Sequence, residues 1–376
     1  MDRSGRLERV LHRMAADGVD TLVALSSARH SMARTDAATH LSGYRSLGES
    51  AFVLFGDGAA RLVVTPDYDE ERACLRCPDT APDTAIVGAD DLAAALAQML
   101  AECSARTGRI ATTGLASLPH PLAARVLGVV GSDARDYDEA VVAVTAPKTE
   151  EEVARARKAA QIAEQGFAEL LRIARPGQRE CDLAMQLNLF TKSLGADDNF
   201  LMMSALPHSH GVAASSGRPL ARGDVLIAEF TPSYEGQFAQ ICRTVSIGAP
   251  SNVLSEKYAL VVRAMEAGIA AVRPGIPVSA VCAAIDGVLT EAGYGDYCRP
   301  PHMKRRGHGM GSGSMAPGDI ASDNDTPLEE DMVFVVHPNQ YLPETGYLLC
   351  GEPVRVTATG GEALTTRWAA LGSVPG

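Results

Sequence analysis

The sequence predicts an α+β protein of two domains, an α/β domain over residues 1–143 and a domain of helices and sheets over residues 144–376. Three observations support this prediction. Short strand patterns alternate with helical patterns in the first part of the chain. A helix-start signal follows, in which Thr149 and Glu152 have the spacing of a capping box. An Arg-Pro-Gly sequence then occurs twice, each time between two helical patterns.

The first domain has the hydrophobic patterns of a small α/β unit. Apolar residues recur at helical spacing early in the chain, and an Ala/Leu-rich helix comes later. A predicted hairpin turns at Gly56-Asp57-Gly58, between two apolar strands. The predicted elements are a helix over 7–14, a strand over 21–24, hairpin strands over 51–55 and 61–65, and a helix over 91–103.

The second domain contains a weak internal repeat. One long helix ends at Arg175-Pro176-Gly177 and is followed by a helix over 182–194. A second long helix ends at Arg273-Pro274-Gly275 and is followed by a helix over 278–292. Each half continues into strand patterns, which predicts a duplicated helix-helix-sheet unit with a cleft on its pseudo-twofold axis. The alternative is that Arg-Pro-Gly is simply a common way to end a helix.

Composition excludes several classes of function. The formal net charge of −12 argues against nucleic-acid binding, and Lys304-Arg305-Arg306 is the densest basic stretch. No apolar run is long enough for a membrane span, and the N-terminus has a helical pattern rather than that of a signal peptide. The eight cysteines form no disulfide framework, and the Cys74–Cys77 pair reads as incidental. We therefore expect a cytoplasmic protein that binds neither nucleic acid nor membrane.

Three ionisable residues interrupt or end apolar strand patterns close together in the sequence. His308 lies between two glycines, His337 ends a strand pattern, and Glu352 precedes another. A buried ionisable group costs several kcal/mol unless it is paired, so three of them indicate a site. Each also has a simpler explanation, either as a core histidine or as a buried His–Glu ion pair.

These residues and their surroundings resemble the pita-bread superfamily of methionine aminopeptidase, Xaa-Pro aminopeptidase, prolidase and creatinase. The resemblance covers about 148–370 and implies a pita-bread C-terminal domain behind an N-terminal domain of the creatinase and prolidase type. It also implies a homodimer in which the N-terminal domain contributes to the neighbouring active site. Its anchors are Pro147-Lys148-Thr149-Glu150, Arg218 to Asp224, Cys242-Arg243-Thr244, Gly307-His308-Gly309 and Leu328 to Met332.

The resemblance places the family's metal ligands on positions that have changed. Members with two metal ions use two Asp, one His and two Glu side chains. At these positions the chain has Glu229, Gln240, His308, His337 and Glu352. Uncharged Gln and His would compensate two dications poorly. The family's second proton-handling histidine falls on Met315, so we expect neither a dinuclear centre nor ordinary aminopeptidase or prolidase activity.

The favoured interpretation is a divergent creatinase-like hydrolase that cleaves an amide or amidine-type C–N bond of a small polar substrate without a metal cofactor. His210 would transfer protons, with His208 as the alternative, while His308 and His337 steady water or developing charge. We expect Glu229, Gln240, Cys242, Glu352 and Arg45 to bind substrate. A cysteine in an apolar strand, such as Cys242, is more often a small buried residue than a nucleophile.

Two other interpretations stay open. Glu229, His308, His337 and Glu352 could hold one Fe, Zn or Mn ion, which would permit hydrolase or lyase chemistry. The chain could also be a catalytically inactive pita-bread protein that only binds a partner. The polar nature of the replacements favours an enzyme, because an abandoned cleft is free to fill with apolar residues.

Overall fold

The computed structural model describes residues 4–28, 36–76, 84–312 and 317–376. The chain forms two compact units. One contains the described residues up to Glu151 together with Ser312, and the other contains residues 152–311 and 317–376. The predicted α+β class is confirmed, and the predicted boundary at residue 143 stays a prediction. Cys77 and Met315, which entered the sequence predictions, lie outside the described residues.

The first unit is a mixed sheet between two layers of helices. Its strands are β1 (Thr21–Ser26), β2 (Ser50–Phe55), β3 (Ala60–Val64), β4 (Ala85–Gly88), β5 (Ile110–Thr113) and β6 (Arg135–Asp136). Its helices are α1 (Ser4–Asp17), α2 (Ala37–Ser42), α3 (Asp69–Arg76), α4 (Leu92–Glu102), α5 (Ser104–Thr107), α6 (His120–Val130) and α7 (Asp138–Thr145). The sheet order is β4-β3-β2-β1-β5-β6, and the predicted hairpin is present as antiparallel β2 and β3.

Alternation along the buried strands creates two cores. On β1, Leu22 and Ala24 enter the core that includes α1 and α7 residues. Val23 and Leu25 enter the core that includes α4 and α6 residues. Successive strand side chains point to opposite faces, so a strand that is buried at every position, as β1 is, needs cover on both sides.

Asp69, the first residue of α3, fixes the loop between α2 and β2. Its carboxylate is buried and accepts hydrogen bonds from Tyr44 Oη at 2.8 Å, Ser46 Oγ at 3.0 Å, the Leu47 amide at 3.0 Å and Arg72 Nε at 2.7 Å. Burial alone would raise the pKa of Asp69, but these donors together lower it below its ordinary value. Asp69 therefore stabilises the folded state in its ionised form.

Asp69→Asn is expected to lower the free energy of unfolding by about 1–3 kcal/mol at pH 7, because buried donors lose their charged acceptor. A carboxyl whose pKa is lowered by folding stabilises the protein above its unfolded pKa and loses that contribution as pH falls through the folded value. The free energies of unfolding of the wild type and of Asp69→Asn, measured with urea, should therefore converge as pH falls through this range. An equal difference at all pH values would contradict this role for the charge.

The second unit contains two helix pairs, each packed on its own sheet. Its helices are α8 (Glu150–Ile173), α9 (Glu180–Ser193), α10 (Asn252–Ala271) and α11 (Val278–Glu291). Its strands are β7 (Asp198–Asn199), β8 (Met202–Leu206), β9 (Val225–Phe230), β10 (Pro232–Tyr234), β11 (Gln237–Phe238), β12 (Ile241–Ile247), β13 (Gly307–Gly309), β14 (Val333–Val336), β15 (Gln340–Leu342), β16 (Gly346–Leu348), β17 (Glu352–Thr357), β18 (Gly360–Ala363) and β19 (Gly372–Val374). The larger sheets have the orders β19-β12-β9-β8 and β13-β14-β17-β18.

The two Arg-Pro-Gly turns are equivalent in structure. Gly177 and Gly275 have φ values of +86° and +84°, in the left-handed region that favours glycine. The Gly177 amide donates to the Leu220 carbonyl at 2.8 Å, and the Gly275 amide donates to the Leu328 carbonyl at 2.7 Å. Each turn thus binds a later segment of its own half in the same way, as a duplicated unit requires.

A backbone bridge links the sheets of the two halves. Cys242 and Gly351 exchange two hydrogen bonds, each 3.1 Å long from N to O. We call this contact the seam. None of the helices in the described part of the chain is both long and apolar enough to span a bilayer.

Candidate active site

The seam brings most of the predicted site residues onto neighbouring strands of the second unit. Glu229 on β9 lies opposite Cys242 on β12. Across the seam, Glu352 begins β17 and pairs with the end of β14, directly before His337. His308 on β13 pairs with the same strand β14. Residues that are more than 100 positions apart in the chain therefore border one region.

Glu229 has an unusual protonation equilibrium. Burial raises its pKa to about 7, although hydrogen bonds from Asn339 and Cys242 favour the ionised form. Asn339 Nδ2 donates to Glu229 Oε1 at 3.2 Å, while Cys242 Sγ approaches the same oxygen at 3.9 Å. Because Asn339 Oδ1 accepts from the Cys350 amide at 3.1 Å, the orientation of its side-chain amide is fixed. Glu229 can thus both donate and accept a proton near neutral pH.

Cys242 is a buried thiol rather than a nucleophile. Burial and the nearby charge of Glu229 hold its pKa well above the ordinary value. The adjacent Arg243 acts in the opposite direction but does not overcome them. The thiolate that nucleophilic attack needs is therefore not populated at neutral pH.

Glu352 forms a buried ion pair with Arg243. The Arg243 Nη2 and Glu352 Oε1 atoms are 2.8 Å apart, and the two side chains are 3% and 0% exposed. Thr365 Oγ1 donates to the other carboxylate oxygen at 2.7 Å. Arg243 Nη1 also donates to the Gly351 carbonyl at 2.7 Å, beside the seam. Burial raises the pKa of Glu352 above its ordinary value, with Arg243 partly offsetting that effect.

His308 and His337 are a pair of neutral imidazoles. Their ring centroids are 5.4 Å apart and their planes cross at 71°. Burial lowers the pKa of both, and for His337 burial and the proximity of His308 bring it to about 3. His308 Nδ1 lies 3.0 Å from the Gly309 carbonyl, a contact that places its proton on Nδ1. Neither ring carries a charge near neutral pH.

His210 lies on a separate, solvent-exposed aromatic cluster. Its ring stacks on Tyr341, with centroids 5.4 Å apart and planes 18° apart, and His302 stacks on the same ring at 5.3 Å and 16°. His208, the alternative proton-transfer residue, meets the Tyr341 ring edge-on with centroids 5.6 Å apart, and its Nε2 lies 3.0 Å from the Pro343 carbonyl. Across the β15–β16 hairpin, Tyr341 pairs with Tyr347, whose pKa is raised by burial and by the charge of Glu229. This hairpin thus connects the aromatic cluster with the surroundings of Glu229.

Arg45 lies in the first unit on an exposed loop. Its backbone carbonyl accepts a hydrogen bond from Arg72 Nη2 at 2.9 Å. Its predicted contact with substrate stays a prediction.

Two residues that fix this region were not predicted from the sequence. Asn339 follows His337 by two positions, the spacing that places strand residues on one face, so alternation could have pointed to it. Arg306 is buried and donates from Nη1 to the Pro338 carbonyl at 2.6 Å and to Gln340 Oε1 at 2.9 Å, while its Nε donates to Asp286 at 2.7 Å. It therefore holds the segment after β14 in place.

A scan against protein-family models matches residues 154–359 to metallopeptidase family M24. This match covers more than half of the chain. The chain belongs to family M24. Its members are peptidase-like hydrolases, so the predicted membership of the pita-bread superfamily is confirmed.

Individual M24 relatives agree with this assignment. The chain is 32% identical to "Uncharacterized peptidase YqhT" of Bacillus subtilis over 225 residues, which cover 58% of this chain and 62% of the relative. It is 28% identical to a Xaa-Pro dipeptidase of Pyrococcus furiosus over 238 residues, covering 61% and 66% of the two chains. The alignments thus span about two thirds or less of these relatives.

Solved M24 structures share the fold of the whole chain. Prolidase from Thermococcus sibiricus superposes with a TM-score of 0.82 at 22% identity, covering 100% of both chains. X-Pro aminopeptidase from Thermotoga maritima has a TM-score of 0.80 at 23% identity, covering 98% of this chain and 99% of the other. At these identities the likeness shows the fold, which confirms the predicted pita-bread architecture with two domains.

Proposed function

We propose that this M24 protein is a divergent creatinase-like hydrolase that cleaves an amide or amidine-type C–N bond of a small polar substrate without a pair of metal ions. The observation that carries the proposal is the 2.8 Å ion pair between Glu352 and Arg243. A carboxylate neutralised by a buried guanidinium is a poor ligand for a dication, because binding would leave Arg243 buried without its counter-ion.

The remaining ligand positions support the same conclusion. Gln240 and His337 bring no negative charge to positions where the M24 resemblance implies carboxylates. The carboxyl of Glu229, with a pKa of about 7, is the remaining source of negative charge in this set. Two dications need several carboxylates to compensate them. The donor set does not fit a two-metal centre, and we therefore derive no step of the reaction through one.

The proposed reaction uses the residues of this chain for proton transfer. His210, exposed and not hydrogen-bonded within the described residues, would take a proton from the attacking water and return it to the leaving nitrogen. The neutral imidazoles of His308 and His337 would orient water or hold the oxygen on which negative charge develops. Glu229, Gln240 and Cys242 would contact substrate, while Glu352 would act through Arg243.

The proposed assembly is a homodimer of a cytoplasmic protein, in which Arg45 of one copy reaches the substrate in the other. Size-exclusion chromatography with light scattering tests the dimer. Activity restored by mixing an Arg45→Ala variant with a His210→Phe variant would test the shared site.

Removal of metal is expected to leave turnover intact. The protein would be purified without chelators, analysed for metals by mass spectrometry and then dialysed against EDTA. Release of ammonia or an amine would be measured before and after dialysis on a panel of small amides, ureido compounds, amidines and Xaa-Pro dipeptides. Substoichiometric metal and unchanged turnover are the expected results. As a matched control, Gln240→Asp/His337→Glu should gain Mn²⁺ binding, detected by paramagnetic resonance. Loss of Xaa-Pro hydrolysis on chelation, restored by Mn²⁺, would contradict the proposal.

One observation favours the mononuclear alternative. His337 Nδ1 is buried and has no hydrogen-bond partner among the described residues, so one more ligand would satisfy it. Within those same residues, no three His, Cys, Asp or Glu side chains are placed to hold an ion together. Stoichiometric, tightly bound Fe, Zn or Mn in the metal analysis would select this alternative. No turnover across the whole panel would favour an inactive binding protein.

A further inference from the structure

Four polar residues form a compact group on one face of the β9–β12 ladder. Glu229 lies opposite Cys242, and Phe230 lies opposite Ile241. The same register continues into the β10–β11 hairpin, where Ser233 pairs with Phe238 and the Ala239 amide donates to the Pro232 carbonyl at 3.1 Å. The residues that this register places on one face are Glu229, Thr231, Gln240 and Cys242.

The placement follows from strand geometry. Directly opposed residues of an antiparallel pair share a face, and so do residues two positions apart on one strand. Thr231 and Gln240 lie between the β9–β12 ladder and the β10–β11 hairpin, and because these two ladders have the same register, Thr231 is placed opposite Gln240. We call these four residues the polar quartet.

Two members of the polar quartet have buried polar atoms without partners. Thr231 is 0% exposed and Gln240 is 1% exposed. Neither Thr231 Oγ1 nor Gln240 Oε1 has a hydrogen-bond partner within the described part of the chain. A buried polar atom without a partner destabilises the protein, and a valine would fill the place of Thr231 without that cost. Packing alone therefore does not explain these residues.

The polar quartet presents both donors and acceptors. Gln240 Oε1 accepts only, whereas the Thr231 hydroxyl can donate and accept. Glu229 Oε1 already accepts from Asn339 at 3.2 Å, which leaves its second oxygen for a ligand. The nearest full positive charge, on Arg243, is matched by Glu352. The complement is thus an uncharged group that carries N–H donors and a carbonyl acceptor.

We infer that the polar quartet binds an uncharged carboxamide or ureido group of the substrate. This inference rests on the proposed function, because it assigns a substrate class to the same site. A guanidinium or ammonium group would bring donors only and leave the Thr231 hydroxyl proton without an acceptor. A carboxylate would bring acceptors only and would face Glu229. Carboxamide and ureido groups share the required pattern, and separate probes distinguish them.

The test is direct binding of small probes to the full chain. Saturation-transfer NMR titrations would compare acetamide, N-methylurea, methylguanidinium, methylammonium and acetate. Acetamide or N-methylurea should bind at least about tenfold more tightly than the charged probes, since each unmatched buried hydrogen-bonding group weakens binding by roughly that factor. The better of the two uncharged probes identifies the group.

Variants assign the binding to the polar quartet. Thr231→Val should weaken binding of the uncharged probe about tenfold while leaving thermal stability unchanged or higher, because its hydroxyl has no protein partner. Thr244→Val is the matched control on β12. Its hydroxyl donates to the Leu349 carbonyl and accepts from the Leu349 amide, both at 2.9 Å, so this change should lower stability without changing probe affinity.

The outcomes separate this inference from the proposed function. Tightest binding of methylguanidinium, no binding of any probe, or unchanged affinity in Thr231→Val would each overturn the inference. Probe binding that depends on Thr231, in a protein that turns over none of the substrates, would support the inference and contradict the proposed hydrolase activity. Turnover of amides that is the same in the wild type and in Thr231→Val would support the proposed hydrolase activity and contradict the inferred binding role of the polar quartet.

Discussion

Arg243→Met is expected to lower the free energy of unfolding by about 3–5 kcal/mol, because it leaves the Glu352 carboxylate buried without a counter-ion. The wild-type pair has an N–O distance of 2.8 Å, and Glu352 is 0% exposed. Without Arg243, burial would raise the pKa of Glu352 further. A carboxyl with a raised pKa costs stability at high pH and regains it as pH falls, so the loss should be larger at pH 8 than at pH 5.

Urea unfolding at both pH values measures this effect. Arg243→Met/Glu352→Met is the control, because it removes both charges and should recover much of the stability. The double variant can be compared with the sum of its single variants as a measure of coupling. Strict additivity, together with a loss that does not change with pH, would show that the ion pair is not the cause.

His210→Phe is expected to lower kcat on the eventual substrate by about 10²–10⁴-fold, because it keeps a ring against Tyr341 but removes the group that exchanges protons. KM and thermal stability should change little, since His210 is exposed and makes only ring contacts within the described residues.

His302→Phe is the matched control for this prediction. His302 also stacks on Tyr341, with ring centroids 5.3 Å apart. The change to Phe therefore preserves the same kind of ring contact and leaves the proposed proton carrier His210 in place. We expect its kcat to stay within about threefold of wild type. A large loss in His208→Phe with normal His210→Phe would transfer the role to His208.

The sequence predicted the fold in detail where local signals were strong. Turn glycines and apolar alternation identified the β2–β3 hairpin and the turns at Gly177 and Gly275 that follow α8 and α10. These features depend on the few residues around them. The Arg-Pro-Gly repeat predicted a duplicated unit, and the resemblance identified that unit as the pita-bread fold.

The site was predicted only in part, because its energetics depend on contacts between distant residues. Glu352 was expected to bind substrate, yet its carboxylate is held by Arg243, which lies 109 positions earlier on another sheet. Thr231 carried no signal of its own until the register placed it opposite Gln240. Asn339 lies between β14 and β15 and reaches Glu229 on β9 only in the folded protein.

The seam between Cys242 and Gly351 divides the site between the two halves of the duplicated unit. Glu229 lies on β9 of the first half, whereas His308 and Glu352 lie on strands of the second half and His337 follows β14. A shear of one half against the other would change the spacing between the acid and the imidazoles, and it would also strain the Asn339–Glu229 hydrogen bond and the Arg243–Glu352 ion pair, which join the two halves. A substrate that contacts residues of both halves would hold the two halves in one relative position. Substrate binding would then also align the reactive groups.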